Sequence, residues 1–228
     1  MHFIQRKILY DLLFAESVRF ADLKPYEMDN GQFMFHLKKL IEDGFISKSG
    51  SAYKLTKTGK EAANKLNIKD VSMSVQAKIT TVLCAIKTTG SEPEILIYKR
   101  LKNPFYGLHG FPTQKVIWGE NIKDTAIGGL KEETNLEGQA KLIGTFHYSI
   151  YSEDNLLIED KVMFAYKFEN PKGQLESNIE GDFFWMKLSQ INSANLKYLP
   201  EFKTILKALL EKTPTSEIPE IKVKSSDF

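Results

Sequence analysis

The spacing of apolar residues changes period close to residue 70, and that change divides the chain. Before it, Ile4, Ile8, Leu9, Leu12 and Leu13 recur three and four apart and predict a helix. Phe20-Ala-Asp-Leu-Lys24, closed by Pro25, predicts a short second helix. Phe33, Leu37, Leu40 and Ile41 predict a third, with Asp29 or Asn30 as its cap and Gly44 as its stop. Phe45–Lys48 and Ala52–Thr56, around Ser49-Gly50-Ser51, predict a strand, a tight turn and a strand. Gly59–Leu66 then reads as a closing helix. Periodicity is lost from Asn67 to Ala77. From Lys78 onward strands dominate: Ile79–Lys87, Glu94–Arg100, Lys141–Ser152, Lys161–Phe168 and Phe183–Leu188, with helices over Asn121–Asn135 and Pro200–Lys212. The pattern predicts an N-terminal domain over 1–68, a linker over 69–77, an α/β (α+β) domain over 78–212 and a loose tail over 213–228, where Ile218, Ile221 and Val223 could still dock.

Composition narrows the classes. With 42% hydrophobic and 11% aromatic residues, the chain of 228 reads as globular throughout most of its length. A formal charge of +2 does not by itself argue for nucleic acid. One cysteine, Cys84, excludes an internal disulfide framework and a cysteine-based zinc site, and its neighbours Val82, Leu83, Ala85 and Ile86 predict a buried thiol. No apolar run reaches the roughly 20 residues of a membrane span, and the N-terminus lacks a signal-peptide core, so a cytoplasmic protein is expected.

The chemistry is concentrated between Gly110 and Leu136. Residues three and four apart share a helical face, so positions 129, 132 and 133 point together, beside the turn that carries Glu120. Carboxylates at that spacing suit a hard divalent cation shared with substrate phosphates. Glu132 and Glu133 are present, but position 129 is glycine, following Gly128. Two mid-helix glycines cost roughly 2 kcal/mol relative to alanine, which asks for a structural reason.

The N-terminal stretch Phe35-His36-Leu37-Lys38-Lys39-Leu40-Ile41-Glu42-Asp43-Gly44-Phe45-Ile46 resembles the recognition helix and wing entry of a winged helix-turn-helix. The resemblance implies double-stranded DNA as a partner, with Asn30, Gln32, His36, Lys38 and Lys39 on the reading helix and Lys48 on the wing. Residues 1–70 carry 12 Lys+Arg against 9 Asp+Glu, a net of +3, and the acids Glu42 and Asp43 end the helix. Such modules also serve as partner-binding or dimerisation units, and a palindromic DNA site would imply a homodimer.

From Lys78 to Lys212 the chain resembles the Nudix superfamily. The family box places a glycine, then five residues and a glutamate, then seven residues and Arg-Glu-apolar-x-Glu-Glu-x-Gly-apolar. In this sequence Gln114 stands at the first glycine, Glu120 at the first glutamate, Gly128-Gly129 at Arg-Glu, Glu132-Glu133 at the paired acids, Asn135 at the late glycine and Leu136 at the last apolar position, without insertion. The resemblance implies an α/β/α sandwich around a mixed sheet. It implies Mg²⁺ or Mn²⁺ on Glu120, Glu132 and Glu133, with Glu133 and Glu132 as the catalytic pair. The missing acid at 129 implies weak or absent hydrolysis, unless Glu153-Asp154 or Glu159-Asp160 supplies a replacement. Lys99, Arg100, Tyr106 and His109 are expected to contact a nucleotide-like ligand, with Phe111 and Trp118 nearby. The resulting expectation is a ligand-responsive DNA-binding regulator whose second domain binds a nucleoside-diphosphate-derived metabolite. The alternative is a Mg²⁺-dependent hydrolase with the first domain as a partner-binding module.

Overall fold

The computed structural model describes residues 1–211 and 220–224. Its contacts divide the chain into two compact units, 1–75 and 76–228. Among the described residues no helix is long and apolar enough to cross a membrane.

The first unit runs α1 (Phe3–Leu13), β1 (Val18–Arg19), α2 (Phe20–Leu23), α3 (Asn30–Glu42), β2 (Ile46–Ser49), β3 (Ala52–Leu55) and α4 (Lys57–Ala63). Its three strands form an antiparallel sheet in the order β1-β3-β2. The predicted stripe is the core: Ile4, Ile8, Leu9 and Leu12 of α1 pack with Phe33, Leu37 and Leu40 of α3. Local chemistry sets the helix starts. Asp29, rather than Asn30, caps α3, accepting from Gly31 N at 2.7 Å and Gln32 N at 3.1 Å. These amide donors hold its carboxyl below the usual aspartate range. Thr56 caps α4, accepting from Gly59 N at 3.0 Å. The stretch expected to link the domains folds back in part: Asn67 N donates to Ser72 O at 2.8 Å, and Leu66 bridges Met73.

The second unit contains β4 (Lys78–Lys87), β5 (Glu94–Arg100), β6 (His109–Gly110), β7 (Thr113–Lys115), α5 (Ile122–Thr134), β8 (Ala140–Tyr151), β9 (Leu157–Glu169), β10 (Gly181–Lys187), α6 (Leu188–Ile191), α7 (Phe202–Leu210) and β11 (Glu220–Lys224). The strands form one mixed sheet, β10-β5-β4-β9-β8-β11, with β6 on β5 and β7 on β4. β4 and β9 run parallel in register from Lys78↔Lys161 to Ile86↔Glu169, and β4 reads as a long buried run, as a strand covered on both faces does. The fold is an α/β/α sandwich. Leu83 of β4 lies under α5, whereas Thr80, three residues earlier and so on the opposite face, opens towards the side that carries Glu201. Phe202, Ile205 and Leu209 of α7 complete the core, and Cys84 is fully buried, with its thiol pushed far above the ordinary value by loss of solvent.

Two features position the site. β4 bonds β7 through Thr80–Val82 but bonds β5 only at Ile86 and Lys87, so the sheet forks where those neighbours diverge. α5 lies against β4 and β7 at that fork. It is capped by Asn121 and ends at Asn135 in the left-handed conformation, φ 58°, which accounts for Asn135 at the late-glycine position. The tail differs from the expected loose end: Glu220–Lys224 adds to the sheet as a parallel neighbour of β8. Residue Ile218, named as a docking position, lies outside the described residues.

Candidate functional site

The glycine at 129 is explained by the residue at 114. A Cβ built on Gly129 would lie 2.7 Å from Gln114 Cβ and 2.9 Å from its Cγ. The Gln114 Cβ is fixed by the backbone and cannot swing aside, so side chains at 114 and 129 exclude one another in this geometry. The box has lost a side chain from the helix and gained one on the strand facing it. The Gln114 amide then donates to Glu132 Oε2 at 2.8 Å. Gly128 is different, because a Cβ there meets nothing within 4 Å.

The three remaining acids do not converge. Glu120 accepts from the Thr125 hydroxyl at 2.9 Å and from Ile117 N at 3.3 Å, bracing the turn before α5. Glu132 is held by Gln114, and Glu133 Oε2 by the Asn178 amide at 3.1 Å. Glu120 and Glu132 open onto a recess of about 360 Å³ along α5, while Glu133 opens onto a separate cavity of about 380 Å³ at the fork.

That second cavity is cationic at its rim. Arg100 is fixed by the loop after β5: its guanidinium donates to Pro104 O, to Asn103 O at 3.4 Å and to Tyr98 Oη at 3.3 Å. Lys102 pairs with Glu180, and its ammonium is held below the ordinary lysine value by partial burial and then by Arg100 and Lys115. Lys115 has no ion-pair partner among the described residues. Arg100 and Lys115 crowd Lys102, Glu133 offsets this in part, and an anion between the cations would relieve it further. Deeper in, Glu159 is pinned by Lys78 at 2.9 Å and Lys161 at 3.1 Å. Burial pushes its carboxyl up, but Lys161 and Lys78 outweigh that and leave it below the ordinary value. Thr80, Tyr148 and Glu201 line the same cavity.

Comparison with known proteins places this architecture. The NUDIX domain family matches residues 78–209, more than half of the chain. The chain belongs to the Nudix family. Among solved structures, the second unit is similar to the MutT protein of Bacillus halodurans, at 19% identity and a TM-score of 0.54 over 66% of this chain and 93% of that one. It is also similar to the NUDIX domain of Shewanella oneidensis NrtR, crystallised with ADP ribose, at 15% identity and a TM-score of 0.51 over 68% of this chain and 96% of that one. At such identities the likeness is one of fold. No curated protein sequence matches the chain.

The Nudix family implies a divalent metal, and this donor set does not fit one. Among the described residues no three acidic, histidine or cysteine side chains stand close enough to hold a metal ion. The acids expected to share it each serve a neutral donor instead, and they face two different recesses. The alternative acids do not repair this: Glu159 is bound by two lysines, and Asp160 holds His147 Nε2 at 2.7 Å.

The structure distributes the remaining expected residues unevenly. Arg100 lines the cavity, but Lys99, one residue away on β5, projects to the other side of the sheet. His109 sits between Phe184 and Tyr198 rather than in the cavity. Tyr106 is 61% exposed and Trp118 92% exposed, and Phe111 belongs to the core. In the first unit, Asn30, Gln32, Lys38, Lys39 and Lys48 are exposed. Lys39 pairs with Asp43 at 2.8 Å. His36 corrects the expectation: it is buried and stacked on His2 at 4.4 Å between ring centres, so it is a packing residue and reads nothing outside. Sequence reasoning missed Lys102, Lys115, Thr80, Tyr148 and Glu201. Only Lys115, inside the box, carried a signal that could have singled it out.

Proposed function

We propose that the second unit binds, and does not hydrolyse, an anionic nucleotide-like metabolite, and that the first unit is a winged helix-turn-helix that reads double-stranded DNA in response. The observation that carries the first half is the paired change at 114 and 129. A decaying catalytic site would lose an acid and leave a hole. Here the space is refilled by Gln114, and the adjoining cavity keeps Arg100, Lys102 and Lys115 at its mouth. Fixed guanidinium donors suit a diphosphate, because charge-assisted bonds to phosphate oxygens are strong and directional. The NrtR neighbour bound to ADP ribose supports a nucleoside-diphosphate derivative as the ligand class.

For the first unit, the support is the element order with a two-stranded β2-β3 hairpin after α3, and the exposed Gln32, Lys38 and Lys39 on that helix. Phe35, 66% exposed on the same helix, would add an apolar contact. Dimerisation on a palindromic site belongs to this reading. The test is a salt titration of binding to duplex DNA from upstream of the protein's own gene, with and without ADP-ribose. The reading expects a preference over random duplex that ADP-ribose shifts by about tenfold or more, a usual allosteric coupling. Equal affinity for random duplex at every salt concentration would refute it. A second reading, a weak Mg²⁺-dependent hydrolase, is favoured only by Glu120 and Glu132 sharing one recess. It expects turnover of nucleoside diphosphate derivatives that disappears in Glu133→Gln.

A further inference from the structure

The fork cavity holds two buried polar atoms that no described residue satisfies. Glu201 Oε2 and Thr80 Oγ1 are both sealed from solvent and make no hydrogen bond among the described residues. Both residues line the cavity, Thr80 from β4 and Glu201 from the residue before α7. Buried polar atoms are almost always paired, since leaving one unpaired forfeits its hydration without return. Two on one cavity wall therefore call for an outside partner.

The charges around Glu201 define that partner. Burial raises its carboxyl above the ordinary value, while Lys161 and the Tyr148 hydroxyl pull the other way and Glu159 adds to the rise. Glu159 pairs with both Lys78 and Lys161, so two carboxylates, Glu159 and Glu201, face two ammonium groups at this depth. The floor of the cavity thus has no cation in excess of its carboxylates, whereas at the mouth Arg100 bonds only neutral oxygens and Lys115 has no ion-pair partner among the described residues. A phosphate suits the mouth and not the floor.

We propose that Glu201 and Thr80 form a specificity subsite for the uncharged half of the ligand, receiving a sugar hydroxyl or a nucleobase N–H, while the diphosphate stays at the cationic mouth. This inference rests on the nucleotide-binding reading above. It assigns the cavity a polarity: an anionic group outward, hydrogen-bond donors inward. Glu201 is then the residue that distinguishes a nucleoside-containing ligand from a bare diphosphate.

The test is calorimetric titration of the full chain with ADP-ribose, ADP and inorganic pyrophosphate, for the unaltered protein, Glu201→Gln and the near-isosteric Thr80→Val. Melting curves confirm that each variant folds, and two variants on different elements guard against one that does not. ADP-ribose affinity is expected to fall about tenfold or more in each, the worth of a hydrogen bond to a buried polar partner, while pyrophosphate affinity stays within about twofold. A parallel loss for ADP puts the donor in the nucleoside half, and a loss confined to ADP-ribose puts it in the terminal sugar. ADP-ribose affinity unchanged in both variants, or pyrophosphate affinity falling in step, overturns the subsite and leaves nucleotide binding intact. Unaltered protein that binds neither ADP-ribose nor pyrophosphate overturns the binding reading and the subsite with it.

Discussion

Restoring the missing acid at 129 should fail unless Gln114 is removed at the same time. Gly129→Glu gains about 0.5 kcal/mol of helix propensity. It places a Cβ 2.7 Å from Gln114 Cβ, an overpacking that costs about 1–3 kcal/mol. It also sets a carboxylate three and four residues from Glu132 and Glu133, for about 0.5 kcal/mol more. The single variant should therefore lose about 1–3 kcal/mol. Gln114→Gly alone loses the amide bond to Glu132, which is solvent-accessible, and leaves a glycine in a strand, together about 1–1.5 kcal/mol. The double variant keeps the strand glycine, the lost amide bond and the added charge, but is relieved of the clash. It should be more stable than the sum of the singles by the clash itself, about 1–3 kcal/mol. Urea unfolding of the four proteins, followed by a probe in the second unit, measures that coupling. Additivity to within about 0.5 kcal/mol, the behaviour of independent sites, would falsify the claim that 114 and 129 exchange one side chain.

Other outcomes follow from the same geometry. Gly128→Ala meets open space in mid-helix and should raise stability by about 1 kcal/mol, seen as a higher urea midpoint with unchanged slope. Arg100→Met should weaken ADP-ribose binding by about tenfold to a hundredfold in calorimetry, because three oriented contacts hold that guanidinium at the mouth; an effect under about twofold would mean the phosphates lie elsewhere. Burial, then His2, lowers the pKa of His36, so the folded state binds its proton less readily than the unfolded chain. Stability of the first unit should therefore be complete above the ordinary histidine value of about 6.5 and decline as pH falls from there through the lower folded value. His36→Phe should flatten that decline in melting curves taken between about pH 7 and pH 5, and an unchanged slope would contradict it.

Much of the fold could be read from period and punctuation. The switch from helical spacing to long apolar runs marks where β4 begins, and the predicted 79–87, 94–100 and 121–135 fall within a residue or two of β4, β5 and α5. The short strands β1, β6, β7 and β11 escaped, because they carry no period and no turn signal and are defined by their hydrogen-bonding neighbours. The site was less legible. The box located α5 and its acids, and the double glycine was visible, but its cause was not, since Gln114 reaches Gly129 only through the pairing of β7 with β4. Strand parity would have set Lys99 apart from Arg100. The packing role of His36 was not legible, because a histidine at the edge of an apolar stripe looks the same in sequence whether it faces water or His2. Thr80, Tyr148 and Glu201 come from three elements far apart in the chain, and no local pattern unites them.

The phosphorus spectrum of ADP-ribose mixed with equimolar protein and excess Mg²⁺ goes furthest towards deciding the central claim, that this Nudix cavity holds a nucleoside diphosphate derivative without cleaving it. The account predicts shifted or broadened diphosphate resonances that persist unchanged in area over hours and sharpen to the free values in Arg100→Met. Steady conversion to monophosphate signals, abolished by Glu133→Gln, would contradict it.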